Sequence, residues 1–496
     1  MDWLGSEITK KKVLSSLLWK LMERSGTQGI QFIVMIVLAR LLLPEEFGLI
    51  VLTSVFITIS GAFVQSGFNT ALIQKKDVDD VDLSSVFYSS LFITTIFYII
   101  LFFMAPLLAL FFKQPEFSIV LRVLSATLFF GAINSVQNAI IAKHMVFKKL
   151  FISSVGANFI AGMVGIWMAY SGFGIWSLVV YQLINQFMIT CILWFTVLWR
   201  PKLLFSMAKV KTLFSFGWKL MVSSLIDTFY SILGNLLVGK MYSPATLGFY
   251  NRGDQFPNFL VNNINGSIQS VMLPTLSYYQ DDRQRVKQIV RRSIVTSAFI
   301  IFPMMVGLAV IAEPLVKIVL TEKWLPVVPF IQIFCAVYAL YPIHTANLQA
   351  INALGRSDIF LKLEIVKAGV GVLILIVTAP LGVFVMACGI FISSVISAFI
   401  NGYPNFKLFN YSIQEQLKDI TPSLLIALVM GAITYTIYWF GLSPMLTLII
   451  QIVVGVIIYI GLAKVFKLES LNYLLVTLKE LLKFKTKTKM LLNKEI

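Results

Sequence analysis

The sequence predicts an all-α polytopic membrane protein: about fourteen transmembrane helices in two six-helix lobes, with two extra helices at the end. Three observations predict it. Apolar stretches near helix-spanning length recur throughout, basic residues favour alternate loops, and the first part of the chain is echoed about 200 residues later.

Composition sets the class. The chain is 58% hydrophobic and only 13% charged, where a soluble domain carries about 25% charged residues. Lipid suits that balance, in keeping with a mean hydropathy of +0.86. Backbone groups in hydrocarbon must be satisfied internally, so long apolar runs without two-residue alternation mean helices and argue against a barrel. The three cysteines, Cys191, Cys335 and Cys388, lie far apart in apolar runs and read as core thiols.

The spans follow in order. Their centres fall near Gln31, Ile59, Ile99, Phe130, Ile160, Leu183, Phe229, Asn262, Phe302, Tyr341, Leu373, Ile392, Val429 and Val453. The first, seventh and eighth are the most polar. Lys10, Lys11 and Lys12 precede the first span without a small-residue cleavage site, so that span reads as a retained helix.

Loop charge orients them. With the N-terminus in the cytoplasm, that side holds clusters such as Lys143, Lys148, Lys149; Arg200, Lys202, Lys209, Lys211; and Arg283, Arg285, Lys287, Arg291, Arg292. The other side holds Arg40, Lys113, Arg122, Lys240, Lys317 and Lys323. The net charge of +17 therefore reflects orientation and contact with anionic membrane lipids, and no nucleic acid is needed to explain it. The expected division is 1–205 and 206–410 for the lobes, 411–466 for two extra helices, and 467–496 for a basic amphipathic tail at the inner leaflet. Short outer loops near Ser171, Pro380 and Gly441 leave no room for a soluble catalytic domain.

The repeat has recognisable pieces. Trp19-Lys20-Leu21-Met22 returns as Trp218-Lys219-Leu220-Met221. Arg40-x-x-x-Pro44-x-x-x-Gly48 matches Lys240-x-x-x-Pro244-x-x-x-Gly248, and Gln65 and Asn69 match Asn265 and Gln269 at the same offset. A six-span unit returns the chain to one side, so both copies share an orientation, as in transporters whose substrate site lies between parallel repeats.

Ionisable residues inside spans are expensive and point to a polar cavity. Lys20, Arg24, Gln28 and Gln31 share one face of the first span. Gln65 and Asn69 mark the second. Lys219 and Asp227 lie on the seventh, and Asn258, Asn262, Asn265 and Gln269 form a stripe on the eighth. Four such helices facing one another would line a wet, amide-rich cleft. The candidate substrate-binding cations are Lys20, Arg24, Lys219, Arg252 and Lys367; Glu23, Asp227 and Asp254 suit ion coupling. Arg and Lys suit phosphate, and amides suit sugar hydroxyls. Lys20 and Lys219 also fit snorkelling to the interface. Arg252 and Asp254 also fit an interfacial pair that fixes a helix start, and Lys367 a pair with Glu364. His344 reads as a satisfied core histidine.

Enzyme signatures fail. Gly234 to Met241 nearly spells a phosphate loop, but Met241 replaces the required Ser or Thr and the stretch ends a span. No metal-binding or nucleophile motif stands in a plausible context, so no cofactor, metal or catalytic residue is expected. Transport then runs on an ion gradient, the membrane potential or product removal.

Trp19-Lys20 with Gly29, Ala39-Arg40 with Pro44-x-x-Phe47-Gly48, and the run from Gly248 through Asn251-Arg252-Gly253-Asp254 to Pro257 resemble the polysaccharide-flippase branch of the MOP superfamily. The last run is similar to the exporter subgroup serving colanic and teichuronic acids. The resemblance implies fourteen helices and alternating access. It implies movement of an undecaprenyl-pyrophosphate-linked oligosaccharide across the bacterial inner membrane; loop charge places both termini in the cytoplasm, and a polysaccharide polymerase and a chain-length regulator are expected pathway partners. It also implies a pyrophosphate held by cavity cations, for which Lys20, Arg24 and Lys219 correspond by span. A multidrug or metabolite antiporter of the same superfamily and a lipid II flippase are the alternatives. An antiporter should favour a lone acidic site in an apolar pocket, and this sequence mixes several cations with many amides.

Overall fold

In the computed structural model of the chain, the structure describes residues 10–75 and 77–476. Sixteen α-helices and no strand occur among them. In order they are α1 (Lys10–Leu41), α2 (Pro44–Gln74), α3 (Asp80–Phe112), α4 (Pro115–Leu124), α5 (Thr127–His144), α6 (Phe147–Tyr170), α7 (Trp176–Thr196) and α8 (Met207–Met241). There follow α9 (Pro244–Tyr278), α10 (Arg283–Val319), α11 (Val328–Ala339), α12 (Tyr341–Ala353), α13 (Ser357–Thr378), α14 (Val383–Phe409), α15 (Ile413–Thr436) and α16 (Pro444–Val465). All fourteen expected span centres fall within helices.

Among the described residues ten spans are long and apolar enough to cross a membrane, taking α4 with α5 and α11 with α12 as single crossings. The long helices outside that set are α1, α8, α9 and α13. The first three are the spans that the sequence reads as the most polar. The fourth carries Lys362, Glu364 and Lys367. The near-phosphate-loop from Gly234 lies inside α8 as continuous helix. Large apolar side chains such as Phe103, Leu107 and Leu110 on α3 and Ile457 on α16 are exposed, as a lipid-facing surface requires.

The fourth span of each repeat is broken in the middle, which the sequence did not foretell. After α4 the chain turns at Ser125 and Ala126; after α11 it turns at Leu340. At the first break the Ser125 and Thr127 hydroxyls each donate at 2.6 Å to the carbonyls of Leu121 and Leu124. Those bonds keep carbonyls near the break partnered. At the second, Pro342 supplies no backbone donor and fits the first turn of α12.

Packing divides the chain into two compact units, 1–251 and 252–496. In the first, α1 lies along α6, α6 along α7, and α2 along α8 and α5. Phe68, Leu72, Val86, Phe87, Val136 and Leu213 form one of its cores. In the second, α10 packs on α11, α12, α15 and α16. Phe299, Phe302, Ile343, Ala350, Met430 and Tyr459 lie at its centre, and the Tyr459 hydroxyl donates to the Phe299 carbonyl at 2.8 Å. Of the expected tail, Leu468, Leu471 and Leu474 pack against this core, and the Arg292 guanidinium lies 3.5 Å from the Tyr473 ring centroid. Residues 477–496, the rest of the expected tail, lie outside the described residues.

Within unit 1–251 the two copies of the Pro-x-x-x-Gly motif meet. A Cβ on Gly48 would sit 1.8 Å from the Pro244 carbonyl oxygen, and one on Gly248 would sit 2.3 Å from the Pro44 carbonyl oxygen. Each glycine admits the backbone of the other copy, so the motif's spacing has a reciprocal steric cause.

The connector from α7 to α8 is pinned to the start of α3. Ser84 and Ser85, both buried, accept the backbone N–H groups of Lys202 and Ser206 at 3.1 and 2.9 Å. Lys202 pairs with Asp80 at 2.5 Å, Lys75 with Asp82 at 2.6 Å, and Lys209 with Asp79. Acids in the first turn of a helix also favour its dipole. In the second unit Lys287 pairs with Glu415 and Arg291 with Asp419, at 3.2 and 2.9 Å.

Candidate functional site

The stripe on α1 is not sealed inside its own unit. The face packed on α6 carries Gly26 and Val34: a Cβ on Gly26 would lie 3.2 Å from Val155, and one on Gly162 only 2.5 Å from Val34. Lys20, Arg24 and Gln31 are exposed, and Gln28 is half-buried. The Lys20 ammonium pairs with Glu23 at 2.7 Å and lies 5.7 Å from the Phe147 ring centroid. Among the described residues no hydrogen bond or ion pair engages the Arg24 guanidinium. Beside it the Thr27 hydroxyl and the Gln28 side-chain carbonyl are buried without a partner. Two neighbouring cations on one face thus differ: one is half-neutralised and the other is open to an anion.

Asn69 on α2 likewise has a buried side-chain carbonyl without a partner. The side chains of Gln65, Lys219 and Asp227 lie outside the described residues.

In the second unit α9 brings a different set together. This helix begins at Pro244, about two turns before Arg252, so Arg252 and Asp254 are not at a helix start as the sequence suggested. Gly253 explains their depth. A Cβ there would lie 2.3 Å from that of Phe330 and 3.1 Å from the Ile331 backbone nitrogen, so only glycine lets α9 approach α11 this closely. Arg252 is 7% exposed and donates to Gln255 Oε1. Asp254 accepts from the Tyr338 hydroxyl at 3.0 Å, and that hydroxyl accepts from Asn258 Nδ2 at 2.5 Å. Asn262 donates to Asn258 Oδ1. The chain Asn262 → Asn258 → Tyr338 → Asp254 therefore runs in one direction and ends on a carboxylate, an arrangement whose bonds reinforce one another. Asn265 is buried with its side-chain carbonyl unpartnered, and Gln269 is exposed.

Lys367 pairs with Glu364 at 2.7 Å and is 13% exposed. Both ring nitrogens of His344 are engaged, by Ser394 and by Asn401, each at 3.1 Å. One turn on, Asn347, Asn405 and Gln416 form a fully buried amide cluster across α12, α14 and α15. Sequence reasoning missed this cluster; one signal was Asn401 and Asn405, four apart on one face of α14.

Comparison with known proteins fits this architecture. Residues 37–329 match the family described as polysaccharide biosynthesis protein. The succinoglycan biosynthesis transport protein ExoT of Rhizobium meliloti (strain 1021) is 25% identical over 320 residues, which is 64% of each chain. The lipopolysaccharide biosynthesis protein WzxC of Escherichia coli (strain K12) is 23% identical over 367 residues, 72% of this chain and 73% of that one. Among solved structures, the lipid II flippase MurJ in an inward closed conformation superposes with a TM-score of 0.72 at 14% identity, covering 91% of this chain and 98% of its own. An inward-facing MATE multidrug resistance transporter of the MOP superfamily gives 0.56 at 16% identity, covering 81% and 95%. These likenesses show the fold. Because the family match spans more than half of its length, the chain belongs to the polysaccharide biosynthesis protein family, on the multi-pass helical fold of MOP transporters.

Proposed function

We propose that this protein flips an undecaprenyl-pyrophosphate-linked oligosaccharide across the bacterial inner membrane by alternating access, for the synthesis of a cell-surface or exported polysaccharide. The observation that carries the reading is the exposed stripe on α1, where Arg24 stands open beside unpartnered amide and hydroxyl oxygens. A guanidinium suits a pyrophosphate, and amides suit sugar hydroxyls. The names of ExoT and WzxC place those relatives in polysaccharide biosynthesis, which favours this cargo over a drug or a metabolite.

In this reading Arg24 grips the pyrophosphate, with Lys219 from the second repeat copy. Lys20 contributes less because Glu23 already holds it. Arg252 and Lys367 act as supports, since Gln255 and Glu364 engage them. Asp254, at the end of its hydrogen-bond chain, is the acid best arranged to couple an ion; Glu23 and Asp227 remain in the candidate set. The polymerase and the chain-length regulator belong to the same proposal.

Flipping of a fluorescent lipid-linked sugar in proteoliposomes tests it. A hydrogen bond to a charged group contributes about 1.5–3 kcal/mol, so Arg24→Ala is expected to slow flipping by roughly 10- to 100-fold. Arg24→Lys should retain part of the rate. Full activity in the Ala variant would remove Arg24 from the site.

A further inference from the structure

Unit 1–251 has a cavity outside the α1 stripe, at the end that carries its basic loops. It measures about 430 Å³ and opens between α2, α3, α5, the start of α6 and the α7–α8 connector. Its size is within the roughly 300–1,000 Å³ of small-molecule sites. Its walls are mostly apolar, with Leu72, Ile140, Val197 and Trp199 among them. Lys143 and Lys149 also line it. Their ammonium groups donate to the carbonyls of Lys75 and Thr196 at 2.5 and 2.6 Å. A backbone carbonyl fixes an ammonium in place without cancelling its charge.

Of the acids nearby, Asp77 acts on Lys143, and the others are held by other cations. Asp79 and Asp80, which also line the cavity, pair with Lys209 and Lys202, and Asp82 pairs with Lys75. Summed over this end, Lys75, Lys143, Lys149, Arg200, Lys202 and Lys209 outweigh Asp77, Asp79, Asp80 and Asp82. Beside the cavity the connector exposes apolar side chains: Leu198 is 69% exposed and Leu203 is 96% exposed. Such a rim belongs against hydrocarbon or its interface. A soluble anion would have no use for the apolar walls, and a neutral lipid none for the lysines.

We infer that this cavity binds an anionic phospholipid, with part of an acyl chain among Leu72, Ile140, Val197 and Trp199 and the phosphate beside Lys143 and Lys149. Because Val197 and Trp199 belong to the connector, the bound lipid braces the link from α7 to α8. The inference stands apart from the cargo and from the α1 stripe.

The test uses the full chain purified in a neutral detergent. Its melting temperature is followed with phosphatidylglycerol and with phosphatidylcholine of identical acyl chains. Phosphatidylglycerol is expected to raise it by several degrees and phosphatidylcholine by less than half as much. K143Q/K149Q should lose the difference, whereas Lys407→Gln, in the other unit, should keep it. Native mass spectrometry of the unaltered protein provides a readout that needs no variant to fold: phosphatidylglycerol should be retained over phosphatidylcholine at equal concentration. Equal response to both lipids overturns the assignment, as does a preference that survives in K143Q/K149Q. Displacement of phosphatidylglycerol by equimolar undecaprenyl phosphate also overturns it, by giving the site to a carrier lipid.

Discussion

Asp79 serves two partners from one side chain. Its Oδ1 caps α3 by accepting the Asp82 N–H at 2.8 Å, and its Oδ2 takes the Lys209 ammonium. The lysine first, and the backbone N–H after it, hold this carboxyl at about 2, well below the ordinary 3.8. The folded state therefore prefers the carboxylate. The resulting stability is fully present above the unfolded value near 4 and is lost as pH falls through about 2. Asp79→Asn keeps an oxygen for the cap and removes the charge. The melting temperature of the parent should exceed that of the variant at pH 7 and pH 5, with the gap closing between pH 4 and pH 2. A gap unchanged at pH 2 would show that Lys209 reads the side chain's shape and not its charge. Lys20 and Arg24 teach a related lesson. Both were legible as cations on one helix face, because four-residue spacing is visible in a string of letters. That Lys20 is held by Glu23 while Arg24 stands open was not, because two acceptable rotamers of one lysine leave no trace in sequence.

Elements were legible where their physics is local. Every span centre fell in a helix because hydrophobic length is counted residue by residue. The breaks at Ser125–Ala126 and Leu340 were not foreseen, since a turn within an apolar run changes no hydropathy. The helix-start reading of Arg252 fails because α9 begins at Pro244, and only the approach of α11 reveals why Gly253 is needed. The Pro-x-x-x-Gly motif is the intermediate case: its recurrence was legible, and its reason was the reciprocal contact of its two copies. That contact makes a prediction. Gly48→Ala forces a methyl group onto the Pro244 carbonyl, 1.8 Å away. Backbone has less freedom to give way than a side chain, so the cost should lie toward the upper part of the roughly 1–3 kcal/mol seen for overpacking. Gly307→Ala is the control, because a Cβ there meets nothing within 4 Å. Thermal unfolding in detergent should show Gly48→Ala melting several degrees lower and Gly307→Ala nearly unchanged. Equal behaviour of the two would mean that the crossing is slack.

At the scale of the whole molecule, loop charge argues which way the chain faces. An even number of crossings returns the C-terminus to the side of the N-terminus, and every strongly basic loop then shares that side. The two ionic clusters follow the same rule: the lysines that clamp the start of α3 and the Lys287 and Arg291 pairs at the start of α15 both sit at ends expected to be cytoplasmic. Moving a lysine or arginine into the helix centre costs about 2.5–3.5 kcal/mol on insertion scales, and several loops would have to invert together. Alkaline phosphatase folds only outside the cytoplasm, so fusions report the side directly. A fusion after Gly172 is expected to be active; that turn has φ 81 with open space around the glycine, so an insertion should disturb little. Fusions after Lys202, at the α7–α8 connector, and after Gly355, between α12 and α13, should be inactive. The opposite pattern would invert the molecule and put the clamp on α3, with the proposed lipid cavity beside it, at the outer leaflet. A pattern that fails to alternate between Gly172 and Lys202 would instead remove α7 as a crossing.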